Sequence, residues 1–382
     1  MKRSVAAVAL ALAGLYGLAQ SQSPAAPEKV SAEQLTAMLA DDAGKDDAHL
    51  AAELQGLQLT ERLGAGRLAR LNAALPGEKS REALVILADS AALLGPAQAD
   101  TVANPNPDAA ALRQMLVNVV NYANGALHGL PNFVATRATI AFEDRPKEDV
   151  LGSTGIVSYS YLPLHMVKRD SAEVTYRNGK EVLEASGKDE RKSSLAHGLQ
   201  TAGEFGPFLN TVLADAVKGK ITWARWEQGT DGTDGVFHYE VRKDASHYVV
   251  QFCCISEDVS ESIATHVYSE KAGYHGEIVF NPTTGAVHRI SVEAELVPGE
   301  LVEGAGMVVE YAPVLVGSKT VVLPVRSASI LRAHTTAPPE GMHMAVFKGP
   351  AKTFLNDVAF ENYREFRGEM RIVSDPAGPS NQ

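Results

Sequence analysis

The hydrophobic period of this 382-residue chain changes at Pro131, and that change restricts the fold more than any other feature. Before it, apolar residues recur every three or four positions, as on amphipathic helices. After it they alternate, as on strands whose two faces differ. Val134, Ala138, Ile140 and Phe142 fall on one strand face, and Arg137, Thr139 and Glu143 on the other. Helices followed by a longer run of strands predict an α+β protein: a small N-terminal helical module, then a mainly antiparallel β-sheet on one or two helices.

Residues 31–95 divide into four short helices. Ser31 and Gln34 form a capping box ahead of Leu35, Met38 and Leu39. Asp47 is expected to cap a second helix carrying Leu50, Leu54 and Leu57, and Thr60 to start a third with Leu63, Leu68, Leu71 and Leu75. Ser80 opens a fourth, with Leu84, Val85, Leu87 and Leu93 on its apolar side. Pro96, Pro105 and Pro107 mark residues 96–107 as a linker. The β domain spans 108–373. It holds a long helix at 108–128, capped by Asp108, and a second at 203–218 with Phe208, Val212, Leu213 and Ala216 turned inward. The tail 374–382 reads as disordered.

Three hairpins punctuate the β domain. Asn178-Gly179 suits the positive φ angles of a type I′ turn. Asn281 to Gly285 joins Tyr274–Phe280 to Ala286–Leu296. In the returning strand Ala286, His288, Ile290, Val292, Ala294 and Leu296 alternate with Arg289, Ser291, Glu293 and Glu295, which predicts one buried and one wet face. Met307–Val316 turns at Gly317-Ser318-Lys319 and returns through Arg332. One or two further strands at 352–373 close the domain.

Residues 1–21 read as a signal peptide. Lys2 and Arg3 precede the apolar run Val5–Leu18, and Ala19-Gln20-Ser21 offers a small-residue cleavage site. The expected location is the periplasm or the outside medium, with no integral membrane segment after cleavage. A formal charge of −11 disfavours nucleic acid as a partner. The only cysteines, Cys253 and Cys254, are adjacent. They fit a pair of buried small side chains, a ring between neighbours or an intermolecular bridge, and the latter two would give them a redox role.

No catalytic constellation stands out: there is no Gly-x-Ser-x-Gly elbow, no His-Glu-x-x-His pair and no phosphate-cradling glycine loop. Asp231 and Asp234 lack the spacing of a calcium loop. His238 and His247 flank one turn and His275 and His288 another, yet scattered core or surface histidines are the expectation, with no metal and no cofactor. The aromatic residues carry the ligand argument. Trp223 and Trp226, three apart on one strand, would face opposite sides, and one of them could line a groove together with Phe205 and Phe208.

The hairpin Gly276-Glu277-Ile278-Val279-Phe280-Asn281-Pro282-Thr283-Thr284-Gly285-Ala286-Val287-His288-Arg289 resembles an element of the LolA-like half-barrel carriers of lipoproteins and lipids. The segments Gly203-Glu204-Phe205-Gly206-Pro207, Phe252-Cys253-Cys254 and Gly273-Tyr274-His275-Gly276 resemble uncharacterised secreted acidobacterial proteins. The first resemblance implies a strongly curved sheet plugged by helices, and carriage of an apolar ligand or lipoprotein; the second implies no activity. The expected function is therefore non-enzymatic: binding of an apolar ligand or envelope component between sheet and helices. The alternative is an envelope scaffold or interaction protein with a filled β core, whose helical module binds a protein partner.

Overall fold

Ser31 and Gln34 close their capping box as expected. In the computed structural model the Gln34 N–H donates to Ser31 Oγ (3.1 Å) and the Ser31 N–H to Gln34 Oε1 (2.8 Å), opening α1 (Ala32–Asp41). The structure describes residues 27–42, 44–151, 156–177, 180–184, 199, 207–230, 232–259, 262–337 and 347–366. Residues 1–21, the tail 374–382 and the Asn178-Gly179 turn lie outside these.

Three more helices, α2 (Asp47–Gln55), α3 (Ala65–Ala74) and α4 (Glu78–Ser90), complete the module. Two neighbouring acids divide the capping between them. Asp46 caps α2 by accepting from the N–H groups of Ala48 and His49, both at 3.0 Å. Asp47, expected in that role, instead caps α4, accepting from Ser80 Oγ (2.6 Å) and from the N–H groups of Ser80 (2.9 Å) and Lys79 (3.2 Å). The N-cap of α4 is Gly77, which has no side-chain acceptor, so a distant carboxylate fills the place. The Ser80 hydroxyl and then the Ser80 N–H hold the Asp47 carboxyl below its usual range. The strands β1 (Glu28–Val30) and β2 (Leu57–Leu59) pair in parallel beside the helices. Leu35, Leu54 and Leu84 centre a core belonging to the module alone.

The proline-rich segment does more than link. It contributes β3 (Thr101–Val102), an edge strand of the large sheet. Asp108 then caps α5 (Ala109–Gly129), accepting from Ala110 and Ala111 N–H at 2.9 and 2.8 Å. The strands β4 (Phe133–Leu151), β5 (Ile156–Arg177) and β6 (Lys180–Glu184) lead to α6 (Pro207–Lys218), whose predicted start at 203–206 lies outside the described residues. Next come β7 (Lys220–Gln228), β8 (Thr233–Val241), β9 (Val249–Val259) and β10 (Ser262–Lys271). The chain continues through β11 (Gly273–Phe280), β12 (Val287–Glu295), β13 (Val302–Val316), β14 (Lys319–Ala337) and β15 (Phe347–Glu365).

The large sheet is antiparallel and curved, with the order β3-β7-β8-β11-β12-β13-β14-β15-β4-β5-β6, and it does not close into a barrel. This is the α+β architecture the period change predicts. The β11–β12 hairpin pairs Ile278 with Ile290. Its turn packs against α5, where Asn118 Nδ2 donates to the carbonyls of Pro282 and Thr283 (3.3 and 3.2 Å).

α5 and α6 cover one face of the sheet. Val119 and Ala123 of α5 and Phe208, Leu209 and Val212 of α6 interdigitate with Phe237, Tyr239, Ile278, Ile290 and Val309. The β9–β10 hairpin adds a second patch, placing Val250 and Phe252 against Ala305, Leu331 and Phe354. Along β13, Ala305 and Val309 share one face because strand side chains alternate.

The opposite face was expected to be wet. In β12, however, Arg289 and Ser291 are buried along with Ile290 and Val292. The helical module lies over that side: the Leu93 side chain sits so close to Gly306 that a Cβ there would meet its Cδ1 at 2.4 Å. Module, sheet and α5–α6 thus form three layers. The predicted wet face is exposed only beyond the module, at Glu293 and Glu295.

Candidate functional site

The aromatic residues proposed to line a groove have the following places. Phe208 is buried in the apolar layer under α6, and Phe205 lies outside the described residues. Trp223 and Trp226 do not face opposite sides. A bulge at Ala224 puts Trp223 opposite Phe237 and Arg225 opposite Val236, so the alternation slips by one residue. Both indoles therefore lie on the α5–α6 face, edge to face with centroids 4.7 Å apart, and Trp223 also meets Phe237 edge-on. The proline-rich segment covers them: Trp226 Nε1–H donates to the Pro105 carbonyl (2.9 Å) and Trp223 Nε1–H to Asn106 Oδ1 (3.2 Å). The proline-rich segment thus lies against both indoles.

Cys253 is buried beside β10, as the reading of buried small side chains expects, and is disulfide-bonded, as the readings with a bridge expect. Its neighbour Cys254 is the only other cysteine in the chain.

The same bulge turns Arg225 and Glu227 toward the module, where they start a buried ribbon of charge. Arg225 grips Glu277 with two bonds (2.6 and 2.7 Å) and Glu227 with two more (2.9 and 2.5 Å). Arg62, in the module, donates to the other Glu227 oxygen at 2.5 Å. Burial opposes ionisation of Glu277, but the Arg225 bonds outweigh it and keep that carboxyl below its usual range. Arg289 donates to the Ala92 carbonyl (2.6 Å), while its Nη1 stays 3.8 Å from Glu277 without a hydrogen bond. Burial, and then the charge of Arg62, lower the Arg289 guanidinium to about 10. Farther along, Arg326 binds Asp357 (2.9 Å) and Asp89 of α4. Burial pushes the Asp89 carboxyl up to about 8 despite Arg326, and raises Asp357 as well.

Arg62, Arg289, Glu310 and Arg326 line a cavity of about 20 Å³ at this seam, roughly the room one water needs. The seam is a docking interface in which ion pairs lie among apolar side chains such as Leu63, Ala88 and Val308. A pattern reading misses it because Arg289 and Arg225 look like ordinary outward residues of half-buried strands. The clue in the sequence was the acid-and-arginine content of successive outward positions, which solvation explains equally well.

A buried acid on α6 was also missed. Asp215 is 0% exposed and sits among Val212, Leu213 and Ala216. It accepts from Tyr274 OH (3.0 Å), the His247 N–H (2.7 Å) and His247 Nδ1 (2.5 Å). The imidazole of His247 is 65% exposed, so the buried acid orients a ring that faces water. Such a dyad could serve as a general base. Among the described residues, no hydroxyl or thiol is hydrogen-bonded to the ring. His288 similarly pairs with Asp234 (2.9 Å). No three His, Cys, Asp or Glu side chains among the described residues converge on a common metal position, and no helix among them is long and apolar enough to cross a membrane.

No family model and no curated protein matches this chain. Among solved structures, a DUF1329 family protein from Desulfovibrio piger is similar at 8% identity, covering 68% of this chain and 94% of that one, with a TM-score of 0.28. That likeness is too slight to carry an argument about fold or function.

Proposed function

We propose that the protein is an exported, non-enzymatic scaffold or interaction protein, with a filled β domain and a helical module that engages a partner. The observation that carries this reading is the continuous apolar layer from Val119 through Phe208 and Phe237 to Ile290, which fills the space where an apolar ligand would sit. A carrier needs a concave site that buries most of its ligand. The module supports the same reading. It has its own core, shares no residue with the layer beneath α5 and α6, and meets the sheet through the Arg62–Glu227 pair, the Arg326–Asp89 bond and the Leu93 side chain. The apolar layer under α5 and α6 does not require it, and the module's exposed helix faces are available for another role.

Native mass spectrometry of the mature protein, released from the cell envelope without detergent, tests this. The expected mass is that of the bare chain starting at Gln22. A stoichiometric apolar adduct would overturn the proposal in favour of a carrier. Photo-cross-linkers at Glu33 and Arg70, exposed on the module, should trap one envelope protein, and cross-linkers at Thr222 and Lys319 on the sheet should not.

A further inference from the structure

Beyond the module, the outer face of the sheet carries a cluster that the proposed function does not use. On β8 and β11, His275 pairs directly with Glu240, and His238 stands two residues along β8, diagonal to His275. Directly opposed residues on an antiparallel pair hold their Cβ atoms about 4.5–5.5 Å apart, and diagonal neighbours lie within reach of long side chains. The rings of His238 and His275 have centroids 6.1 Å apart, and His238 Nε2 lies 3.6 Å from Glu240 Oε1. These three side chains form a compact triangle on one face.

We propose that His238, Glu240 and His275 are the ligands of a surface site for a zinc-type divalent cation. Two imidazoles and a carboxylate suit such borderline cations, and three protein ligands leave a fourth position open to water or to an outside donor. Glu293 and Glu295 of β12 complete the site from the other side. They lie 3.6 Å from His275 Nε2 and Nδ1 respectively. A carboxylate on the non-ligating nitrogen orients a metal-bound histidine and makes it a better ligand. In the structure the donors rest as ion pairs instead of converging, with Lys220 Nζ 3.3 Å from Glu240. Each ligand is partly exposed, so its rotamer can change without disturbing the core. The Lys220 bond is an exposed surface pair, weakened by solvent and readily given up.

Isothermal titration of the untagged full chain with zinc ion at pH 7.5 tests the site. The expected result is one equivalent bound, with His275→Ala weakening binding at least about tenfold. His238→Ala and Glu240→Gln should weaken it too, while each variant keeps the parent melting temperature in the absence of metal. A parent that binds no zinc overturns the proposal. So does a His238→Ala, His275→Ala double variant that binds as tightly as the parent, since the metal would then sit elsewhere.

Discussion

Asp89 shows how one buried side chain contributes to the response of this protein to pH. Its folded pKa of about 8 lies far above the value of about 4 for an unfolded aspartate. Between those limits the folded chain holds a proton that the unfolded chain has released. Stability from this group is fully present below about pH 4 and is lost as pH rises through about 8. Asp89→Asn should therefore flatten the fall in urea midpoint between pH 5 and pH 8. An unchanged slope would mean that the carboxyl is ionised against Arg326. Asp89 was not foreseen as a buried acid, because on α4 it follows Leu84 and Leu87 and looks like one more solvated helix residue. Burial here depends on Arg326 and Asp357, more than 200 positions away, and no local pattern encodes that distance.

At the level of elements, the hairpins and the capped helices were legible because each depends on a few neighbouring residues. Ser31 with Gln34, Asp108, and Asn281 through Gly285 acted as expected. The β7 bulge was not legible. A single extra residue, Ala224, leaves composition and turn signals unchanged, yet it brings Trp226 onto the same face as Trp223 and sends Arg225 to the other. Capping by Asp47 was missed for a related reason: its helix is α4, 33 residues away. The β11–β12 turn gives a sharp test of element packing. Gly285 has φ +75° and lies so close to α5 that a Cβ would meet the Asn118 backbone at 2.2 Å. Gly285→Ala should cost about 1–3 kcal/mol from the backbone conformation alone, and more as α5 is pushed away. Urea unfolding measures it, and an unchanged midpoint would contradict the observed seating of α5 on the turn.

For the whole molecule, the order of helices then strands was readable from the change of period, but the way the layers stack was not. Alternation in β12 correctly predicted that Ile290 and Val292 face the core, and wrongly that Arg289 and Ser291 face water. The module that covers them lies 197 positions earlier in the chain, where the Ala92 carbonyl accepts from Arg289, and that face reads as solvated until the docking is seen. Among the described residues, side chains of α5 and α6 pack against those of the sheet where a hollow was expected, and the proposal of an interaction protein over a carrier rests on that packing. Diffraction from crystals pressurised with xenon, which enters empty apolar cavities, addresses the point directly. The prediction is no bound xenon among Val119, Phe208, Phe237 and Ile290; an ordered xenon site there would reveal room for an apolar guest and contradict the account.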